Sequence, residues 1–197
     1  MHALIVVAHH NQKSLTHSIA STIAENISTD SQQHTCEIAD LALEGFDPRF
    51  TMADQAVYHR QAAAPAEIIA EQDRIDRSDA LVLVFPVYWW SMPALLKGWI
   101  DRVFSNGWAY DFGVENPEVQ KLKHINVHLV GIGASGAALY ARHGYDQAMK
   151  TQIEHGIFSY CGAKVIGFHL LGESESGGSV AHIEKAAKIG RSLFSNL

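Results

Sequence analysis

The chain has little cysteine, two residues among 197, and Cys36 and Cys161 lie far apart in no C-x-x-C pair. That excludes a disulfide scaffold and a dithiol redox motif, and it fits reduced thiols in a cytoplasmic protein. Basic residues are also scarce, 15 Lys and Arg against 21 Asp and Glu, for a formal charge of −6. They are scattered, so the electrostatic footprint of a nucleic-acid-binding protein is missing. Twelve histidines are present. They form no H-E-x-x-H pattern, and His124 and His128 have no cysteine or carboxylate companions in sequence, so no metal site is expected. The G-x-S-x-G elbow of many hydrolases is absent as well. No long hydrophobic run goes uninterrupted: Leu81–Ile100 is broken by Pro86 and Pro93 and carries Lys97, which argues against a membrane span. The opening MHALIVVAHH has neither a basic leader nor a cleavage site, and reads as a first strand.

What is present is enough apolar residue, 47%, to bury the core of one domain over residues 1–197. Short β-branched runs alternate with helix-period segments. Strands are expected at Ala3–Ala8, Thr35–Ala39, Ala80–Phe85, Asn126–Gly131 and Lys164–Leu170. Helices are expected at Thr16–Asn26, Glu67–Arg77, Ala94–Phe104, Tyr145–Tyr160 and Ser179–Leu193. Continuous apolar strands separated by amphipathic helices predict an α/β, doubly wound, five-stranded parallel sheet with helices on both faces and order 2-1-3-4-5. Two connections are long, Leu41–Pro65 and Ser105–Lys123, and long loops in compact domains are often functional.

In such a sheet, ligands bind at the carboxyl ends of strands where the strand order reverses. Three loops fall there. The first, Ala8–Thr16, leads into a helix and offers free N–H groups with His9, Ser14, Leu15 and Thr16, a phosphate cradle without a glycine signature. Taken by itself, this loop reads first as a helix cap by Ser14 or Thr16. The second follows the strand break at Pro86 and Val87, and offers the faces of Tyr88, Trp89 and Trp90 to a flat ligand or to the core. The third, Gly131-Ile132-Gly133-Ala134, lets backbone approach a ligand edge, and Tyr140 and His143 follow it. A phosphate cradle, an aromatic platform and a glycine-rich edge together fit a flavin.

The stretch D-A-L-V-L-V-F-P-V-Y-W-W-S-M-P-A-L-L-K-G-W-I-D-R-V-F, preceded by A-E-Q at Ala70–Gln72, resembles the flavodoxin-like NAD(P)H:quinone oxidoreductases of the DT-diaphorase type. A-H-x-x-x-x-S at Ala8–Ser14, H-G at His143-Gly144 and Y-C-G at Tyr160–Gly162 follow the family's order. The resemblance implies that His9, Ser14, Leu15 and Thr16 hold the flavin pyrophosphate and ribityl region. Pro86, Val87, Trp89 and Trp90 would flank the isoalloxazine. Gly131–Ala134 stands where the family has T-T-G-G, so the threonine hydroxyls are lost. Tyr140 and His143 match the pair that assists hydride transfer, at a shorter separation, and Trp108 and Tyr110 would wall the substrate pocket. The implied activity is two-electron transfer from NAD(P)H to a quinone by a ping-pong cycle, with azo or nitro compounds as further acceptors. The implied cofactor is FAD, with FMN as the alternative, and the implied assembly is a homodimer. Two other roles compatible with these residues are a flavodoxin-type electron carrier and a regulatory flavoprotein subunit peripherally associated with a membrane transporter.

Overall fold

A computed structural model describes residues 1–27, 34–115, 120–174 and 179–195. Five strands, β1 (His2–Val7), β2 (Thr35–Asp40), β3 (Ala80–Pro86), β4 (Asn126–Ile132) and β5 (Lys164–Leu171), form one sheet in the order β2-β1-β3-β4-β5. Every pairing is parallel. The expected fold class and strand order are therefore those observed. β3 lies at the centre and is buried throughout, which is why its sequence is an unbroken apolar run.

Alternate residues of each strand face opposite layers. Ala3, Ile5 and Val7 join Ala80, Val82 and Val84 beneath α1 (Leu15–Ile27), where Ile19 and Ile23 pack with Ile189 and Leu193. Leu4, Val6, Leu81, Leu83 and Phe85 build the other core with Ile68, Ile75, Leu96, Trp99 and Phe158. The two cysteines lie against different cores and are both free.

Three elements depart from the expected boundaries. Within the long Leu41–Pro65 connection, α2 (Met52–Tyr58) is nucleated by a capping box in which Thr51 and Asp54 cap each other's backbone. α3 (Ala66–Asp76) and α4 (Ala94–Val103) follow as expected. The segment carrying Tyr140 and His143 is a short helix, α5 (Ala137–His143), ended by Gly144 at φ 70°. α6 (Tyr145–Met149) then continues as a π-helical stretch over Lys150–Ser159, closed by the Tyr160 N–H to His155 carbonyl bond of 3.1 Å. The last helix, α7 (Ser179–Ser192), packs on α1. Part of the second long connection, residues 116–119, lies outside the described residues.

The L-K-G-W glycine has a packing reason. A Cβ on Gly98 would lie 2.2 Å from the Pro48 carbonyl oxygen, so the Gly45–Pro48 turn crosses α4 in direct backbone contact. The same segment is tied down from α4 by Arg102, which bonds both Asp54 oxygens at 3.1 Å and the Asp47 carbonyl at 2.9 Å.

Candidate active site at the carboxyl rim of the sheet

The loops after β1, β3 and β4 leave the same edge of three adjacent strands. Two strand spacings of about 4.8 Å separate the outer pair, so the rim between them is roughly 10 Å wide. Val7 pairs with Asp40 in the β1–β2 register, and this brings Asp40 to the rim beside the first loop.

In the first loop, Ser14 caps α1: its Oγ accepts the His17 N–H at 3.3 Å, and its carbonyl accepts the Ser18 N–H at 3.1 Å. Helix geometry leaves the N–H groups of Leu15 and Thr16 without intrahelical acceptors. Thr16 is buried, 2% exposed, so its side chain packs into the fold beneath the loop. His9 Nδ1 accepts the Asn11 N–H at 3.0 Å, and Nε2 therefore carries the proton of the neutral ring. Burial, then the neighbouring His10, holds the His9 pKa below its ordinary value. His9 is thus a neutral donor. The helix cap, one of the two alternatives on the residues alone, is present, and it leaves the first-turn N–H groups of α1 pointing toward the loop. A partner missed in the sequence is His17, which bridges Ser14 Oγ at 2.9 Å and Asp40 Oδ2 at 2.8 Å.

The second loop is a tight turn. Tyr88 and Ser91 exchange N–H to carbonyl bonds of 3.1 and 3.0 Å around Trp89 and Trp90, whose φ angles are 49° and 54°. Two consecutive positive φ values are the signature of a type I′ turn, normally built from Asn and Gly. Holding L-residues there costs roughly 1–2 kcal/mol each, a strain that clusters at functional sites. The N–H groups of Trp89 and Trp90 take no part in the turn's own bonds. Trp89 is 89% exposed. Trp90 stacks on Tyr145 with centroids 4.0 Å apart, and His143 stacks on the same ring at 5.3 Å. Tyr145 is thus a site residue that the sequence places only at a helix start. The adjoining H-G was the available signal.

In the third loop the expected ligand edge, Gly131-Ile132-Gly133-Ala134, is closely packed against protein side chains. A Cβ on Gly131 would lie 3.1 Å from Val87 Cγ2, and one on Gly133 would lie 2.7 Å from the Tyr140 hydroxyl. These glycines make room for protein side chains. Gly133 N–H bonds the Leu171 carbonyl and Ile132 accepts from Val87 N–H, so Ala134 is the exposed remnant of that edge. The letters G-x-G-x-x-G run from Gly131 to Gly136, but Glu173 fills the space at Gly136, its carboxylate oxygen 2.5 Å from an added Cβ. A carboxylate there opposes a pyrophosphate.

Tyr140 is buried and His143 exposed; Tyr145 separates them, edge-on to Tyr140 at 6.4 Å. Burial raises the Tyr140 pKa, keeping its hydroxyl protonated. Trp108 is not at the rim. Its Nε1–H bonds Asp76 at 3.1 Å, at the end of α3 that feeds the start of β3. Tyr110 lines an open cavity of about 400 Å³ with Tyr58, Phe104, Phe112 and Tyr160, against α4 and the π-helical stretch. His128 is buried beside His169 and lacks a hydrogen-bond partner at either nitrogen; burial, then His169, lowers its pKa to about 4. It is a neutral core residue. Among the described residues, no group of three or more His, Cys, Asp or Glu side chains is arranged to hold a metal, and no helix is long and apolar enough to cross a membrane.

A family model of flavodoxin-like fold matches residues 1–192. An uncharacterized NAD(P)H oxidoreductase of Haemophilus influenzae is 32% identical over 176 residues, 88% of this chain and 84% of that protein. A ribosyldihydronicotinamide dehydrogenase [quinone] of Pongo abelii is 30% identical over 184 residues, 83% of this chain and 78% of its own length. The chain belongs to the flavodoxin-like quinone oxidoreductases. In structure it is similar to the NAD(P)H:quinone oxidoreductase of Methanothermobacter marburgensis, with TM-score 0.89, 25% identity and 98% of each chain covered. The family implies a flavin. The rim of this oxidoreductase suits one: the first-turn N–H groups of α1, a neutral histidine donor and a serine lie at one end, and an exposed aromatic turn lies at the other.

Proposed function

We propose that the enzyme transfers a hydride from NAD(P)H to a quinone by a ping-pong cycle at a flavin seated across the β1, β3 and β4 loops. The observation that carries this reading is the convergence of the α1 N-terminus and the strained Trp89–Trp90 turn on one rim, in a chain of oxidoreductase family. When bound, the flavin supplies the two-electron chemistry and alternately serves donor and acceptor in one pocket.

The chain's own residues supply position and charge. The Leu15 and Thr16 N–H groups, Ser14 and His9 Nε2–H meet the phosphate. The exposed Tyr88 and Trp89 would give the flat ring and its partner an apolar support, and the Trp89 and Trp90 N–H groups, which the turn's own bonds do not use, would bond the ring's polar edge. His143, stacked on Tyr145, would provide a donor to the developing negative charge, with the Tyr140 hydroxyl, packed at Gly133, as the second group of the pair. The Leu41–Pro65 segment, fixed by Gly98 and Arg102, would meet the adenine of FAD, and FMN would dispense with it. Tyr110 and Trp108 would reach the substrate only through a twofold partner. The exposed Tyr58, Phe112 and Tyr160 around the 400 Å³ cavity support that dimer.

Purified protein should be yellow, and anaerobic NADPH or NADH should bleach it in one two-electron step, with reoxidation by a quinone. A reconstituted protein that takes no hydride would instead be an electron carrier. Light scattering should give twice the chain mass, and a monomer at micromolar concentration would remove the dimer and the substrate role of Tyr110 and Trp108.

A further inference from the structure

The first loop contains a hydrogen-bonded relay whose donors and acceptors can be counted. His17 lies 2.9 Å from Ser14 Oγ through Nδ1 and 2.8 Å from Asp40 Oδ2 through Nε2. The other Asp40 oxygen accepts the Ala42 and Leu43 N–H groups at 3.2 Å each. An ionised carboxylate only accepts, so Nε2 carries a proton. A neutral His17 then has a bare Nδ1, which takes the Ser14 O–H and leaves that hydroxyl nothing to donate to an anion. A cationic His17 reverses the bond: Nδ1–H donates to Ser14 Oγ, and the O–H is released. The side chains of His17 and Asp40 are only 15% and 11% exposed, so water is a poor substitute for either partner.

The groups that face His17 decide where a charge settles. Asp40 stands at the end of β2, and His9 lies edge-on across the loop at 6.2 Å with His10 stacked behind it at 4.6 Å. Protonating His9 would break its bond from the Asn11 N–H and place a cation beside His10. A proton on His17 is instead paired with Asp40.

We propose that a phosphorylated flavin binds at the N-terminus of α1 with uptake of one proton by His17, which switches Ser14 from donating to the ring to donating to the phosphate. This rests on the assignment of the rim as a flavin site. The proton comes from solvent and is held at Nδ1; His17 and Asp40 are positioning residues that act through Ser14. The coupling favours phosphorylated flavins, because riboflavin offers no anion to reward the protonated form.

The test is calorimetric titration of flavin-free protein with FMN, FAD and riboflavin in two buffers of different ionisation enthalpy. It is run between about pH 7 and 8.5, above the second phosphate ionisation near about 6. FMN and FAD should take up close to one proton and riboflavin none. FMN affinity should fall by up to about tenfold per pH unit where free His17 is neutral. Asp40→Asn discriminates best. The Ala42 and Leu43 N–H groups hold its amide oxygen, so its NH2 donates to Nε2 and the neutral ring carries its proton on Nδ1. That variant should bind FMN without proton uptake and with a flat pH profile, and His17→Gln should also lose the uptake. Uptake persisting in either variant overturns the proposal. FMN binding to the wild type without uptake overturns it too and leaves the flavin site standing, whereas failure of all three flavins to bind removes both. Should neither variant fold, the 15N shift of His17 Nδ1 is followed in the wild type. It should move from the unprotonated to the protonated range as FMN binds, and an unmoved shift overturns the proposal.

Discussion

Replacing Arg102 with alanine lowers the free energy of unfolding by about 3–5 kcal/mol, the range for breaking a buried ion pair from one side. The Arg102 and Asp54 side chains are 5% and 3% exposed. The guanidinium bonds both Asp54 oxygens, the Asp47 carbonyl and Glu67, and lies 5.6 Å from the centre of the Phe46 ring. Without it Asp54 stays buried with only its Thr51 bonds. Burial alone raises the Asp54 pKa, but the Thr51 bonds and Arg102 outweigh it, so the folded value lies below the ordinary one. A depressed carboxylate contributes stability above its unfolded pKa, about 3.9, and loses it as pH falls through the folded value. In the variant burial remains and the arginine does not, so Asp54 takes up a proton at higher pH. The deficit is therefore largest near neutrality and shrinks in acid. Urea unfolding at pH 7 and pH 4.5 checks both parts, and Asp54→Ala in the same chain should recover part of the loss by removing the stranded charge. Unchanged stability at pH 7 would mean that the site hydrates Asp54 freely.

His143→Gln slows flavin reduction by about 100-fold or more, the usual cost of removing one preorganised donor to a developing charge. Flavin affinity should hardly change, since His143 reaches the aromatic turn only through Tyr145. Arg142 Nε donates to His143 Nε2 at 3.3 Å, which leaves Nδ1–H as the donor of the neutral ring. A group that acts in the transition state lowers the rate of the hydride step without loosening the ground-state complex. Stopped-flow reduction by NADPH, with flavin retention measured alongside, separates the two. Equal reduction rates in variant and wild type would take His143 out of the mechanism and leave Tyr140 as the donor to examine next.

Much of the fold was legible because strands and helices announce themselves by local period. All five strands and five of the helices fall within one or two residues of the expected windows, allowing the π-helical continuation of Tyr145–Tyr160. α5 was missed because Gly131–Gly136 and Gly144 frame a seven-residue segment that reads as loop, and α2 because it lies between turn residues. The π-helical stretch has no local signature, since a 3.6-residue pattern and its widened form bury similar residues. For the glycine-rich loop the limit is different: sequence shows an absent Cβ but not what occupies its space, here Val87 and Tyr140.

By itself, the sequence determined the layered sheet, its strand order, the three rim loops and the family resemblance, because hydrophobic period and motif spacing are properties of neighbouring residues. Only the tertiary structure decided that Trp89 and Trp90 sit in a strained turn, that Tyr145 joins Trp90 to His143, and that Trp108 bonds Asp76 away from the rim. It alone joined Ser14 and His17 to Asp40, 23 residues beyond His17, through the register that sets Val7 beside Asp40. Such contacts follow from how strands align across the sheet, and strand register is fixed by the packed core rather than by the residues that meet at its edge.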